Sequence, residues 1–136
     1  MLNSLSIRNI VLIEALDLDF AAGLGALTGE TGAGKSILLD SLGLVLGARA
    51  DSGWVRSGTD KAQVTAVFDP PTPKSELAAL LEDNEIECEA GEPLLIRRAL
   101  KADGGSKAFV NDQPCSAALL RQIGQHLVEI HGQHDD

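Results

Sequence analysis

Gly29-Glu30-Thr31-Gly32-Ala33-Gly34-Lys35-Ser36 is the stretch that decides the fold. It satisfies G-x-x-x-x-G-K-[ST] at every constrained position. Background frequencies produce such a match in roughly one chain of this length in 200. The flanks are in keeping with it. Leu24 to Thr28 reads as an apolar strand entering the loop, and Ile37 to Leu46 as an apolar helix leaving it. That strand–loop–helix order is the context the pattern needs, and it predicts an α/β protein with a mixed or antiparallel sheet around the loop's helix.

The chemistry of the octapeptide is that of a phosphate cradle. Glycines let consecutive backbone N–H groups turn inward as an anion nest. The helix adds its free N-terminal N–H groups and the positive end of its dipole. Lys35 supplies a point charge for the β- and γ-phosphates. The Ser36 hydroxyl is a ligand of the type Mg²⁺ prefers. Gly29, Glu30, Thr31, Gly32, Ala33, Gly34, Lys35 and Ser36 are therefore the nucleotide-binding candidates. These eight residues do not say which nucleotide binds or whether it is hydrolysed.

The chain has 136 residues, enough for one domain with a buried core. Its balance is acidic, 20 Asp and Glu against 11 Lys and Arg. That argues against tight non-specific nucleic-acid binding by this chain alone. Cys88 and Cys115 form no C-x-x-C pair and read as reduced thiols. The N-terminal apolar run, Ile10 to Ile13, is too short for a signal peptide, and Ile37 to Ala48 is too short to span a bilayer. A soluble, cytoplasmic protein with no membrane partner is expected.

Around the loop, Leu5-Ser6-Ile7 and Leu16 to Phe20 alternate and read as antiparallel strands. The helix after Lys35 is apolar on most of its circumference and is expected to be buried. Within it Gly43 costs helix stability, which predicts close approach of another segment there. Asp51 to Thr59 reads as loop and Gln63 to Phe68 as strand. Thr72 and Pro73 suggest the start of a helix carrying Leu77, Leu80 and Leu81. Leu94 to Leu100 and Ser106 to Val110 suggest a hairpin. Ser116 is placed to cap a helix bearing Leu119, Leu120, Ile123 and Leu127, and Leu127 to Ile130 has strand character. No four-residue apolar run is followed by Asp-Glu, so the acid that completes P-loop hydrolysis is missing. The chain is expected to be the N-terminal part of something longer.

Three separated motifs carry a family resemblance. Leu5-Ser6-Ile7-Arg8-Asn9 followed by Leu27 to Leu42 resembles the head of SMC-like ATPases. The form Gly29 to Ser36 followed by Leu42-Gly43-Leu44, with Ser106 to Pro114 and Glu129-Ile130-His131-Gly132-Gln133-His134, resembles the RecN family of bacterial DNA repair proteins. The resemblance covers essentially the whole chain. It implies an ABC-type ATPase head split by a long coiled coil, with residues 1–136 forming the first lobe. Its implied ligands are ATP and Mg²⁺. Its implied partners are the C-terminal lobe of the same head, a second head engaged through ATP, and DNA. Its implied role is recombinational repair of double-strand breaks at the nucleoid. By the same resemblance Gln133 is the Q-loop glutamine, joining Ser36 on Mg²⁺ and acting with Lys35 in hydrolysis. Arg56 sits where SMC-like heads carry an arginine associated with DNA-stimulated hydrolysis, and Arg8 and Asn9 where related heads meet base or ribose.

Other readings of the same residues exist. Arg97, Arg98, Lys101 and Lys107 form a basic cluster, read as a solvated sheet edge more readily than as a contact for DNA phosphates. His131 and His134 have the spacing of weak metal ligands, with His126 and Glu129 nearby, but the cysteines of a zinc site are lacking. A small-molecule phosphotransferase would share the P-loop and need an arginine lid. An ABC transporter subunit would share the Q-loop, and a nucleotide-sensing module would bind without turnover.

Overall fold

A computed structural model describes residues 2–11, 13–19, 32–48, 52–71, 75–86 and 91–131. Strands β1 (Leu2–Ile10), β2 (Ile13–Asp19), β3 (Lys61–Phe68), β4 (Leu94–Lys101), β5 (Ser106–Val110) and β6 (Gln113–Cys115) form a six-stranded sheet of order β2-β1-β3-β4-β5-β6. Every pairing is antiparallel. Helices are α1 (Gly32–Val45), α2 (Glu76–Asp83) and α3 (Ala117–His131). The expected strand entering the P-loop, Leu24 to Thr28, lies outside the described residues, as do Thr72, Pro73 and Cys88.

Strand alternation builds the core. Register aligns Leu5, Ala66, Ile96 and Val110 in one row across the sheet, and Ile7, Val64, Arg98 and Ala108 in the next. All eight are buried, because residues two apart on a strand share a face. Helix α1 lies on β1, β3 and β4, and α3 reaches β5 and α2. Ser41, Leu44 and Val45 of α1 are buried, whereas Leu39 is 62% exposed. The expectation of a helix buried all round thus holds only for the face turned to the sheet.

Turn chemistry accounts for the hairpins. Asn111 and Asp112 both have positive φ between the paired residues Val110 and Gln113, a two-residue turn that suits Asn and Asp. It creates β6, which the alternation pattern is too short to reveal. The expected β4–β5 hairpin is present, closed by Lys101 N–H donating to Gly105 O at 2.8 Å.

Two expectations at helix ends are corrected. Helix α2 is capped by Ser75, whose hydroxyl accepts from Ala78 N–H, and not by Thr72. Helix α3 runs through to His131, so Leu127 to Ile130 is helical. Its apolar spacing continues unbroken from the cap that Ser116 provides to Leu119 N–H at 3.0 Å. Helix α2 ends with Glu85 at φ 59, while Ile86 N–H donates back to Leu81 O at 2.9 Å. This is a Schellman ending, which glycine makes without strain. Glu85→Gly is expected to stabilise the fold by about 0.5–1 kcal/mol, read as a higher urea midpoint at unchanged slope.

Candidate nucleotide site and its supports

Helix α1 begins inside the sequence motif. Gly32, Ala33, Gly34, Lys35 and Ser36 are its first five residues. Gly29, Glu30, Thr31 and Gln133 lie outside the described residues. The first turn of α1 contains no acidic residue, so nothing in it opposes an anion at the free N–H groups and positive dipole end. That is the arrangement a phosphate chain requires.

The other end of α1 is held in an unexpected way. It closes as a Schellman motif, with Gly47 at φ 99, Gly47 N–H donating to Leu44 O and Ala48 N–H to Gly43 O at 2.9 Å. No basic residue sits in the last turn of α1. The cation comes from the sheet instead: one Arg98 nitrogen donates to Leu44 O at 2.9 Å and to Ala48 O at 2.8 Å. Arg98 is 3% exposed, and among the described residues no carboxylate pairs with it. Burial lowers its pKa, and the neighbouring Arg121 lowers it further. The negative end of the α1 dipole and the two carbonyls therefore hold this charge in place. Among the described residues, Arg98 Nε and the buried Ser41 hydroxyl find no hydrogen-bond partner. Nearby, burial pushes the half-buried Cys115 thiol up, against the influence of Arg98.

Arg98 consequently does not cluster with Arg97, Lys101 and Lys107, which share the opposite, outer face of the sheet. Adjacent strand residues face opposite sides, a signal already present in the alternation of Leu94, Ile96, Arg98 and Leu100. Arg97 lies on the outer face, paired with Asp112 at 3.1 Å and set 4.4 Å above the Phe109 ring. Strand β4 is interior to the sheet, so its charges do not blunt an edge.

Arg56 is brought to the end of β1. Its N–H donates to Asn9 O at 2.8 Å, and Val11 N–H donates to Trp54 O at 2.8 Å. Arg56 O accepts from the Thr59 hydroxyl at 2.7 Å. Asn9 and Val11 both have positive φ, a strained conformation for a β-branched residue such as Val11. Arg8 is engaged on β2 by Asp17 at 2.9 Å, which holds the Asp17 carboxyl below its ordinary pKa, with a further contribution from Ser6. His126 faces Glu76 across α2 and α3 at 3.8 Å, and the described residues contain no group of ligands able to hold a metal. Among them, no helix is long and apolar enough to cross a membrane.

The family model described as an AAA domain matches residues 4–111. The chain belongs to that family. This AAA domain is 45% identical over 135 residues to the DNA repair protein RecN of Vibrio cholerae, covering 98% of this chain and 24% of the relative. It is 41% identical to the DNA repair protein RecN of Bacillus subtilis, covering 100% of this chain and 23% of the relative. The chain thus spans about a quarter of the length of these curated relatives. Among solved structures, the SMC head domain from Thermotoga maritima aligns with TM-score 0.60 at 18% identity, over 89% of this chain and 41% of that one. A chain from work on ATP-driven dimerization and DNA-stimulated activation of SMC ATPases aligns with TM-score 0.65 at 20% identity, over 90% and 76%. The recombination mediator protein RecF aligns with TM-score 0.61 at 15% identity, over 88% and 29%. The AAA domain therefore has the ABC-type head fold.

Proposed function

We propose that this chain is the ATP-binding N-terminal lobe of a RecN-like ATPase acting in repair of DNA double-strand breaks. The observation that carries the reading is a phosphate-binding motif running into a helix whose first turn is free of acids, in a chain 45% identical to the corresponding part of a DNA repair protein. Gly29 to Ser36 cradle the phosphates, and Lys35 neutralises the β- and γ-phosphates. The hydroxyl of Ser36 and the amide oxygen of Gln133 are hard, neutral oxygen donors, which fit Mg²⁺. When bound, that ion neutralises charge on the transferring phosphoryl group. Gln133 follows the last residue of α3 by two positions in the sequence. The lobe binds its own C-terminal lobe and a second head, ATP favours the engaged state by differential affinity, and Arg56 couples DNA to hydrolysis at the nucleoid.

Structure weakens the phosphotransferase alternative. A lid needs free arginines, whereas Arg97 is engaged by Asp112 and Arg98 is buried under α1. Calorimetric titration with Mg-ATP, paired with a phosphate-release assay on the same sample, tests the proposal. Binding without turnover is expected of this lobe alone. Robust turnover would show that the chain holds its own catalytic acid and would overturn the half-head reading.

A further inference from the structure

We propose that the outer face of the sheet, where β3, β4 and β5 meet the β4–β5 turn, docks a short acidic segment of a partner protein on Lys61, Lys101 and Lys107. The surface is separate from the nucleotide motif, since α1 lies on the inner face, above Arg98.

Register brings the three lysines together. Lys61 and Lys101 stand directly opposite each other on β3 and β4. Lys107 of β5 faces Ala99, two residues from Lys101. Residues directly opposite have Cβ atoms about 4.5–5.5 Å apart, and diagonal ones about 7–8 Å. All three point outward, because their neighbours Ala62, Leu100 and Ala108 are buried on the inner face. Lys101 leans toward β5: a Cβ on Gly105 would lie 3.7 Å from Lys101 Cδ. Like charges directly opposite destabilise a strand pair, so the placement of Lys61 and Lys101 works against the fold. The arginines of the same face are already matched, Arg97 by Asp112 and Arg8 by Asp17. Among the described residues no carboxylate forms an ion pair with Lys61, Lys101 or Lys107, and all three are exposed.

The surround selects the partner. Asp60 precedes Lys61, Asp103 sits in the β4–β5 turn with its carboxylate accepting from Gly105 N–H at 3.0 Å, and Asp112 lies beside Arg97. All three acids are exposed. The cationic spot is thus small and rimmed by carboxylates, on a chain of formal net charge −9. A DNA duplex carries one negative charge per about 1.7 Å of axis, so a backbone laid over the lysines would continue over the acids. An extended peptide puts every second side chain on one face, about 6.5–7 Å apart. That spacing matches the lysine separations, and a short segment ends before the acids begin. Lysine suits the task, because a flexible point charge meets carboxylates singly and needs no fixed fork of acceptors.

The test uses the whole protein and a fluorescein-labelled peptide of alternating glutamate and glycine, with a glutamine–glycine peptide of equal length as neutral control. Fluorescence anisotropy is expected to show saturable binding of the glutamate peptide and none of the control. Raising NaCl from about 50 to about 300 mM is expected to weaken that binding at least fivefold. Lys61→Gln, Lys101→Gln and Lys107→Gln combined are expected to weaken it at least tenfold. The urea midpoint of this triple variant is expected to be no lower than the parent's, because a like-charge pair has been removed. Zero-length carbodiimide coupling is expected to join the glutamate peptide to these three lysines ahead of all others. Absence of binding, or coupling spread evenly over the protein's lysines, overturns the proposal. So does a triple variant that loses more affinity for a short DNA duplex than for the peptide, since the surface would then be a nucleic-acid contact. Should the triple variant not fold, Lys107→Gln alone is titrated, with a loss of at least twofold expected and parent-like affinity overturning the proposal.

Discussion

Lys35→Ala is expected to lower ATP affinity at least a hundredfold while leaving the fold intact. The lysine is the one cation in the motif, and the α1 N-terminus supplies only partial charges against the several negative charges of a nucleotide. Removing a full charge at hydrogen-bonding range from phosphate costs about 2–3 kcal/mol, which a hundredfold loss, about 2.7 kcal/mol, matches. The core that stabilises the chain comes from elsewhere: Leu5, Ile7, Val64, Ile96 and Val110 are buried in the sheet. Calorimetry with Mg-ATP reads the first effect, and a thermal melt within about 2 °C of the parent reads the second. Parent-like ATP affinity in this variant would remove the phosphate role from the loop.

The second large effect is at Gly47, and it is clearest beside Gly43. Gly47→Ala is expected to destabilise the chain by about 3 kcal/mol or more. It places a side chain at φ 99 and drives its Cβ to 2.7 Å from the Arg121 backbone. Left-handed backbone costs about 1–2 kcal/mol for a residue with a side chain, and overpacking adds about 1–3 kcal/mol. Gly43→Ala has the opposite sign. Its Cβ meets only Ala48 Cβ among the described residues, at an ordinary 3.7 Å, so helix propensity dominates and a gain of about 1 kcal/mol is expected. Urea unfolding of the pair measures both, with equal slopes showing that the shifts are in stability. A Gly47→Ala midpoint equal to the parent's would mean that the α1–α3 crossing is not tight.

That pair also shows where sequence reasoning stops. The close approach was expected at Gly43, because a glycine inside a helix needs a reason. In the structure the approach is one turn later, at Gly47, and from the other side at Gly124. A glycine announces backbone freedom but not which segment comes near it. Arg98 is similar: its position between Ile96 and Leu100 already marks it as inward-facing, yet its partners are the carbonyls of Leu44 in α1 and Ala48 just beyond it, 54 and 50 residues away in sequence.

What the amino-acid sequence determined alone is whatever rests on neighbours. The octapeptide and its helix, the alternating strands, the β4–β5 hairpin and the Ser116 cap all depend on interactions spanning a few residues, and all are legible in composition and period. The sheet order, the buried cation beneath α1, the Arg56–Asn9 contact and the Gly47–Gly124 crossing were decided only by tertiary structure. Each depends on which distant surfaces the burial of the core brings into contact, and hydrophobic burial is non-directional: it demands that Ile7, Val64 and Ile96 be covered, and leaves the polar groups carried along with them to be satisfied where they land.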